Sequence, residues 1–363
     1  MKIFLALIAT LYGQIIRTRI FFYEKGLFKI RKLPARVISI GNITVGGTQK
    51  TPLVKAIAEE AISRNLKVCI LTRGYGRLNP EEQVVVSDGI NIISDIKKSG
   101  DEPFELALSL GGKAVIICNK NRYEAGLFAY RNYQPDLYLL DDGFQHLQLA
   151  RDCNIVCIDA SDPLTNASLL PAGRLREELS SLKRATVIAL TRTETVINPT
   201  ADFQTIKRFA PDALIFPIRS KISRLIKLPE LFDKANLDNY NLNDSGAGSM
   251  APTTSPKEES ETPEKKIFAF CGIGNPQGFF SNLTDAGFEI AGKMIFGDHH
   301  WYTEQDLFEI LENAGNLPVV TTIKDAVRLK DFVEARNFFA AMLEIEIAEE
   351  QKFYSNIFDN LSS

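Results

Sequence analysis

The stretch Gly41-Asn42-Ile43-Thr44-Val45-Gly46-Gly47-Thr48-Gln49-Lys50-Thr51 decides the fold. An apolar run, Val37 to Ile40, precedes it, and a segment of helical periodicity from about Thr51 to Arg64 follows. Strand, glycine-rich turn and helix in this order make a phosphate cradle, because backbone N–H groups and the helix dipole converge on one anion. The strict pattern G-x-x-x-x-G-K-[ST] is missed at both glycine positions, where Thr44 and Gln49 stand. The mechanism survives: Gly46 and Gly47 allow close backbone approach, Lys50 can bridge β- and γ-phosphates, and Thr51 can ligate Mg²⁺. Residues Thr44, Val45, Gly46, Gly47, Thr48, Gln49, Lys50 and Thr51 are therefore candidate binders of ATP with Mg²⁺.

Outward from this loop, short apolar runs at Val68 to Leu71, Ala114 to Cys118, Leu137 to Leu140, Ile155 to Ile158 and Val187 to Leu190 alternate with helix-length segments. Repeated strand-helix units predict an α/β fold, a P-loop NTPase-like, mostly parallel sheet with helices on both faces. The pattern resumes at Ile267 to Phe270 and Pro318 to Thr321, which predicts a second, smaller α/β lobe. A length of 363 residues suits two packed lobes. With 45% hydrophobic and 24% charged residues, composition argues against a disordered or polytopic membrane chain. The expected division is an N-terminal segment 1–35, a P-loop core 36–225, a flexible insertion 235–266 rich in Asn, Ser, Pro and Glu, and a C-terminal lobe 267–345.

Leu137 to Leu140 ends in Asp141 and Asp142, as expected of a strand presenting carboxylates to Mg²⁺. Gly143-Phe144-Gln145-His146 follows at once and puts polar groups at the C-terminal sheet edge, where open α/β sheets bind ligands. Arg73, in Thr72-Arg73-Gly74-Tyr75-Gly76-Arg77, follows another strand and faces the same edge, within reach of phosphate or sugar. Gly100-Asp101-Glu102-Pro103 places two acids at a turn into a helix, where Asp101 reads first as an N-cap. All three histidines lie in such clusters: His146, and His299 and His300 in Gly297-Asp298-His299-His300-Trp301-Tyr302. Imidazole suits proton transfer near neutral pH. The histidines and cysteines lack zinc-site spacing, and the five cysteines mostly fall in apolar runs, which predicts reduced core thiols in a cytosolic compartment.

Net charge is −3, yet residues 1–36 hold eight basic side chains and only Glu24 as an acid. Within this arm Ile3, Phe4, Leu7, Ile8, Leu11, Ile15 and Ile20 recur at helical spacing, which predicts an amphipathic helix on an anionic lipid surface rather than on nucleic acid. The run Ile3 to Tyr12 is shorter than the roughly 20 residues that span a bilayer. A signal peptide and a helix packed on its own core are the other readings of this segment.

Taken together, LYGQIIRTR, SIGNITVGGTQKTP, LTRGYGR, GDEP, LLDDGFQHLQLARD, LLPAGRLRE, CGIGNP, FGDHHWYT and TTIKDAVRL resemble the tetraacyldisaccharide 4′-kinase family of the lipid A pathway over nearly the whole chain. The resemblance implies transfer of the γ-phosphate of ATP to the 4′-hydroxyl of an acylated disaccharide 1-phosphate, at the cytoplasmic face of a bacterial inner membrane. It implies that Asp101 and His299 form a base pair, that Lys50 and Thr51 hold nucleotide and metal, and that Asp141 and Asp142 are Mg²⁺ candidates. Glu102, Arg122, Gln145, His146, Arg73 and Asp298 would support the substrate side. No protein partner is implied. Two departures stand out: Gln49 replaces the glycine before the lysine, adding a side chain beside the β-phosphate, and Ile323 replaces an acid in Thr321-Thr322-Ile323-Lys324-Asp325. A P-loop enzyme acting on a soluble substrate and a degenerate homologue that does not catalyse are the alternatives.

Overall fold

The computed structural model describes residues 2–162, 164, 167–196, 200–233 and 265–359. The expected insertion 235–266 lies, apart from its last two residues, outside them. Among these residues twelve strands form one sheet: β1 Arg36–Asn42, β2 Val68–Thr72, β3 Val84–Asp88, β4 Val115–Cys118, β5 Leu137–Asp141, β6 Cys153–Asp159, β7 Val187–Thr191, β8 Leu214–Lys227, β9 Lys266–Cys271, β10 Glu289–Ile295, β11 Val319–Thr322 and β12 Phe339–Ile347. The α-helices are α1 Lys2–Glu24, α2 Lys50–Ser63, α3 Ile96–Ser99, α4 Asp101–Ser109, α5 Arg122–Tyr133, α6 Thr200–Phe209, α7 Leu228–Asp233, α8 Pro276–Asp285, α9 Glu304–Ala314, α10 Ile323–Ala326 and α11 Glu350–Phe358.

Strand order is β10-β9-β11-β12-β8-β7-β6-β1-β5-β2-β4-β3. All pairings are parallel except β3 with β4 and β12 with β8. The sheet therefore contains two parallel blocks joined along the antiparallel β8/β12 ribbon. Strand β8 serves both: Leu214 to Pro217 pair with β7, and Ile218 to Lys227 pair with β12. Its mixed burial explains why no continuous apolar run marks it in the sequence. Central strands such as β1, β2 and β5 are buried almost throughout, since helices cover both faces and no alternating polar side is needed. Helix α2 turns Leu53, Val54, Ile57, Ala58 and Ala61 inward, one stripe of a 3.6-residue period. The largest apolar core runs from Ile38 and Leu53 through Phe104 to Leu329 and Phe338, so side chains from both blocks share it. All five cysteines are free and buried.

Helix α1 runs to Glu24, well beyond the apolar run read from the sequence, and by length and composition alone it is long enough to cross a membrane. Phe4, Leu7, Leu11, Ile15 and Phe21 are exposed. A narrow opposite face packs on the protein. Tyr12 donates from its hydroxyl to the Arg176 carbonyl at 2.8 Å, and Arg19 donates to the Gln145 carbonyl at 3.0 Å. Gly13 lies so close to Leu169 that a Cβ there would come within 2.7 Å of it.

Candidate active site

The ends of β1, β2, β5, β6 and β7 open on one edge, and the loop from Ile43 to Gln49 lies across it. Two arginines pin its carbonyls. Arg174 donates to Val45 O at 3.0 Å and is held by Asp162 at 2.7 Å, and Arg192, paired with buried Asp159, donates to Gly47 O at 2.7 Å. The Val45 N–H is taken by Arg174 O at 2.8 Å, and Thr44 bridges Leu175. Thr48 is buried and accepts from Asn42 Nδ2 at 3.0 Å. The N–H groups of Gly46, Gly47, Thr48 and Gln49 meet no acceptor among the described residues. They precede the first turn of α2, so four donors and a helix N-terminus remain for an anion.

Gln49 caps α2 with φ +58°, in the left-handed region that favours glycine. Its side chain does not project into the loop as the sequence suggested: Nε2 donates to Ser220 Oγ on β8, while Oε1 is buried without a partner.

Lys50 Nζ lies 3.5 Å from Asp142 Oδ1, and Arg176 donates to both oxygens of the same carboxylate at 3.0 and 2.8 Å. Burial opposes the Asp142 charge, but Lys50 and Arg176 outweigh it and hold its pKa below the usual range. Asp141 is different. It is buried, and among the described residues it accepts only from Thr72 Oγ1 at 3.0 Å and has no basic side chain in ion-pair range. Burial, with Glu102 and Asp142 nearby, pushes its pKa up to about 6. A buried carboxylate at Asp141 without an ion-pair partner, together with the Thr51 hydroxyl in the first turn of α2, supplies the hard oxygen donors that Mg²⁺ prefers. Among the described residues no three His, Cys, Asp or Glu side chains converge as a metal site, and Mg²⁺ does not require this, since it keeps several waters and phosphate oxygens.

The distant histidine reaches the same edge. His299 Nδ1 lies 2.8 Å from Asp101 Oδ2, across 198 positions of sequence. Asp101 is not the N-cap of α4: Gly100 holds that place with φ +88°, and Asp101 is the first helical residue, which leaves Oδ2 for the imidazole. A Cβ at Gly100 would fall 2.5 Å from Tyr75 O, so only glycine fits against the loop after β2. Asp101 is 5% exposed and also accepts from Arg328, which is bonded in turn to Asp325 at 3.1 Å. Burial works against ionisation of Asp101, yet His299, Lys324 and Arg328 together keep its carboxyl well below the ordinary range. His299 has φ +60°, a strained position held by its N–H bond to Gly272 O at 3.2 Å. The turn before α8 closes the gap to the nucleotide loop, since a Cβ at Gly274 would sit 3.2 Å from Asp298 Oδ2 and 4.0 Å from Gly47 N.

Other candidates divide. Glu102 is bound by Lys324 at 3.1 Å. Arg122 is buried, its Nε without an acceptor, and burial lowers its pKa against the pull of Asp141 and Asp142. His146 Nε2 is likewise unpartnered, and burial with Arg122, Arg151 and Arg19 nearby brings its pKa down to about 3. Arg73 is exposed just past β2. Gln145 spends its amide on Asn42 O at 2.8 Å, and Arg77 donates to Cys118 O and Pro80 O, so both brace loops. His300 faces Asp306 at 3.1 Å and stacks on Phe296, away from Asp101. Ile323 is buried in the core. Sequence reasoning missed Lys324, Arg328, Arg176, Arg174 and Arg192, although four of these lie in the quoted motifs LLPAGRLRE and TTIKDAVRL.

A family profile described as tetraacyldisaccharide-1-P 4′-kinase matches residues 1–362. A protein of that name from Geobacter metallireducens is 34% identical over 355 residues, 96% of each chain. One from Halothermothrix orenii is 36% identical over 355 residues, 95% of this chain and 88% of its own. The crystal structure of LpxK from Aquifex aeolicus in complex with ATP matches with a TM-score of 0.75 at 29% identity, covering 97% of this chain and 96% of that one.

Proposed function

Since the chain belongs to the tetraacyldisaccharide-1-P 4′-kinase family, we infer that it moves the γ-phosphate of ATP onto the 4′-hydroxyl of a tetraacylated glucosamine disaccharide 1-phosphate, a step of lipid A biosynthesis. The observation that carries the chemistry is the Asp101–His299 contact beside the open glycine loop. An ionised Asp101 has no proton to give, so it accepts the Nδ1 proton and leaves the lone pair of His299 on Nε2. That nitrogen takes the proton of the sugar hydroxyl as the oxygen bonds to the γ-phosphorus. The bond to the β,γ-bridging oxygen breaks, and ADP leaves with the electron pair. Phosphoryl transfer needs alignment and charge neutralisation above all. Lys50, the free N–H groups of Gly46 to Gln49 and the start of α2 supply both on the nucleotide side.

Thr51 and Asp141, with Asp142 beside them, would hold Mg²⁺, which when bound neutralises phosphate oxygens. Asp142, gripped by Lys50 and Arg176, keeps the lysine aligned. Glu102, Arg122, Arg73, Gln145, His146 and Asp298 are assigned to the substrate side, Arg122 and His146 because each carries a buried polar atom without a partner.

The exposed stripe of α1 supports a peripheral seat on the anionic cytoplasmic face of the inner membrane, where the acyl chains of the substrate stay in the bilayer. An apolar groove of about 220 Å³ between α1 and residues 147–154, lined by Ile20, Tyr23, Leu147 and Leu149, adjoins that stripe. We keep the division 1–35, 36–225, 235–266 and 267–345, with the β8/β12 ribbon as the seam. The test is transfer of radiolabelled phosphate from ATP to the acylated disaccharide 1-phosphate in mixed micelles with Mg²⁺. Product is expected, and its absence with intact α1 refutes the assignment.

A further inference from the structure

Lys324, the second residue of α10 just after β11, reaches the same cluster. Its Nζ lies 3.1 Å from Glu102 Oε1, 3.3 Å from His299 Nε2, 3.9 Å from Asp298 Oδ1 and 4.0 Å from Asp101 Oδ2. The side chain is 16% exposed. An ammonium has three donors and no acceptor, so at 3.3 Å it donates into the Nε2 lone pair. This is the lone pair the base must use. With Nδ1–H committed to Asp101, imidazole has no second acceptor, and a hydroxyl proton cannot be taken while the lysine is there.

We propose that Lys324 is a positioning residue that masks the base, its ammonium covering His299 Nε2 until the triphosphate draws it onto phosphate oxygens. The inference rests on reading Asp101–His299 as the base. The route is short: Asp298, 3.9 Å from Lys324, lies against Gly274, which abuts the N–H of Gly47 in the phosphate loop. In the absence of nucleotide, Glu102 and Asp298 hold the ammonium beside the imidazole. A triphosphate bearing about four negative charges outcompetes them at the same range. The base is thereby exposed only where a phosphoryl donor is present. The rival role for Lys324 is a plain tie between Glu102 and the second block, with no effect on the imidazole.

Acylation of His299 by diethyl pyrocarbonate in the nucleotide-free protein separates the two. The chain has three histidines, so peptide mass mapping follows each, with His146 and His300 as internal references. In Lys324→Met and Lys324→Gln, His299 acylates at least about tenfold faster, the expected effect of removing a charge-assisted hydrogen bond from the reacting nitrogen, while the references do not change. In Lys324→Arg it stays slow. Turnover of Lys324→Ala falls by about 10² and is raised at least about tenfold by added ethylammonium, because a free ammonium can fill the place at the phosphate. Equal acylation rates in wild type and Lys324→Met, or no rescue by the amine, overturn the proposal. The acylation readout needs no turnover. Wild-type turnover in His299→Ala would therefore remove the base assignment without deciding the acylation result.

Discussion

Replacing Asp101 with asparagine nearly preserves volume and removes the charge on which the base depends. The lost contact is the 2.8 Å bond to His299 Nδ1. A hydrogen bond to a charged group is worth about 1.5–3 kcal/mol, or about 10 to 10² in rate. An amide adds a second fault, because its NH₂ can donate to Nδ1 and put the imidazole proton on Nε2, the nitrogen that must be bare. The expected fall in kcat is therefore about 10² to 10⁴. KM for ATP should barely move, since no hydrogen bond or ion pair joins Asp101 to residues 44–51. Stability should fall by about 1–3 kcal/mol, less than the about 3–5 for a stranded buried charge, because Arg328 keeps Asp325 at 3.1 Å and Gly272 O at 3.2 Å. Phosphotransfer at saturating substrates, with Tm measured on the same preparation, tests this. A folded D101N enzyme within about threefold of wild-type kcat would refute the base assignment, as would full additivity of D101N with His299→Ala.

Two further outcomes follow from the same geometry. His146 titrates near 3 in the folded chain against an ordinary 6.5, so between these values the unfolded chain binds a proton that the folded one does not. Stability is then full above about pH 6.5 and falls as pH drops toward 3, by at most about 5 kcal/mol. In His146→Gln the guanidinium midpoint should lose much of this slope, and an unchanged slope would show that the imidazole is not held neutral. Gln49→Gly removes a left-handed side-chain residue costing about 1 kcal/mol and a hydrogen bond of about the same size, so Tm should hardly shift and turnover should be kept or raised. A strong loss of activity would show that the tie to Ser220 is needed for catalysis.

Much of the fold is local and was legible. Val37 to Ile40 with the glycine turn and Lys50, and Leu137 to Leu140 with its two aspartates, are contiguous signals, because a buried parallel strand must be an unbroken apolar run. The β8/β12 ribbon was not legible, since a strand shared by two blocks changes partners and burial midway and loses its period.

The site was legible only in part. Sequence places Asp101 and His299 in polar turns, and in Asp101 it offers an N-cap as readily as a carboxylate for an imidazole. The family resemblance paired the two, but only the fold shows how: Gly100 takes the cap, and His299 comes across 198 positions to the freed oxygen.

What the sequence determined by itself is what neighbouring residues decide: the strands, the phosphate loop, the acidic strand end and the apolar arm. Tertiary structure alone decided where long cationic side chains end. Lys324, Arg328, Arg176 and Arg192 are indistinguishable from surface residues in one dimension, yet each closes on a carboxylate or carbonyl supplied by a distant element. A flexible stem of several bonds leaves the position of its charge to the packing around it.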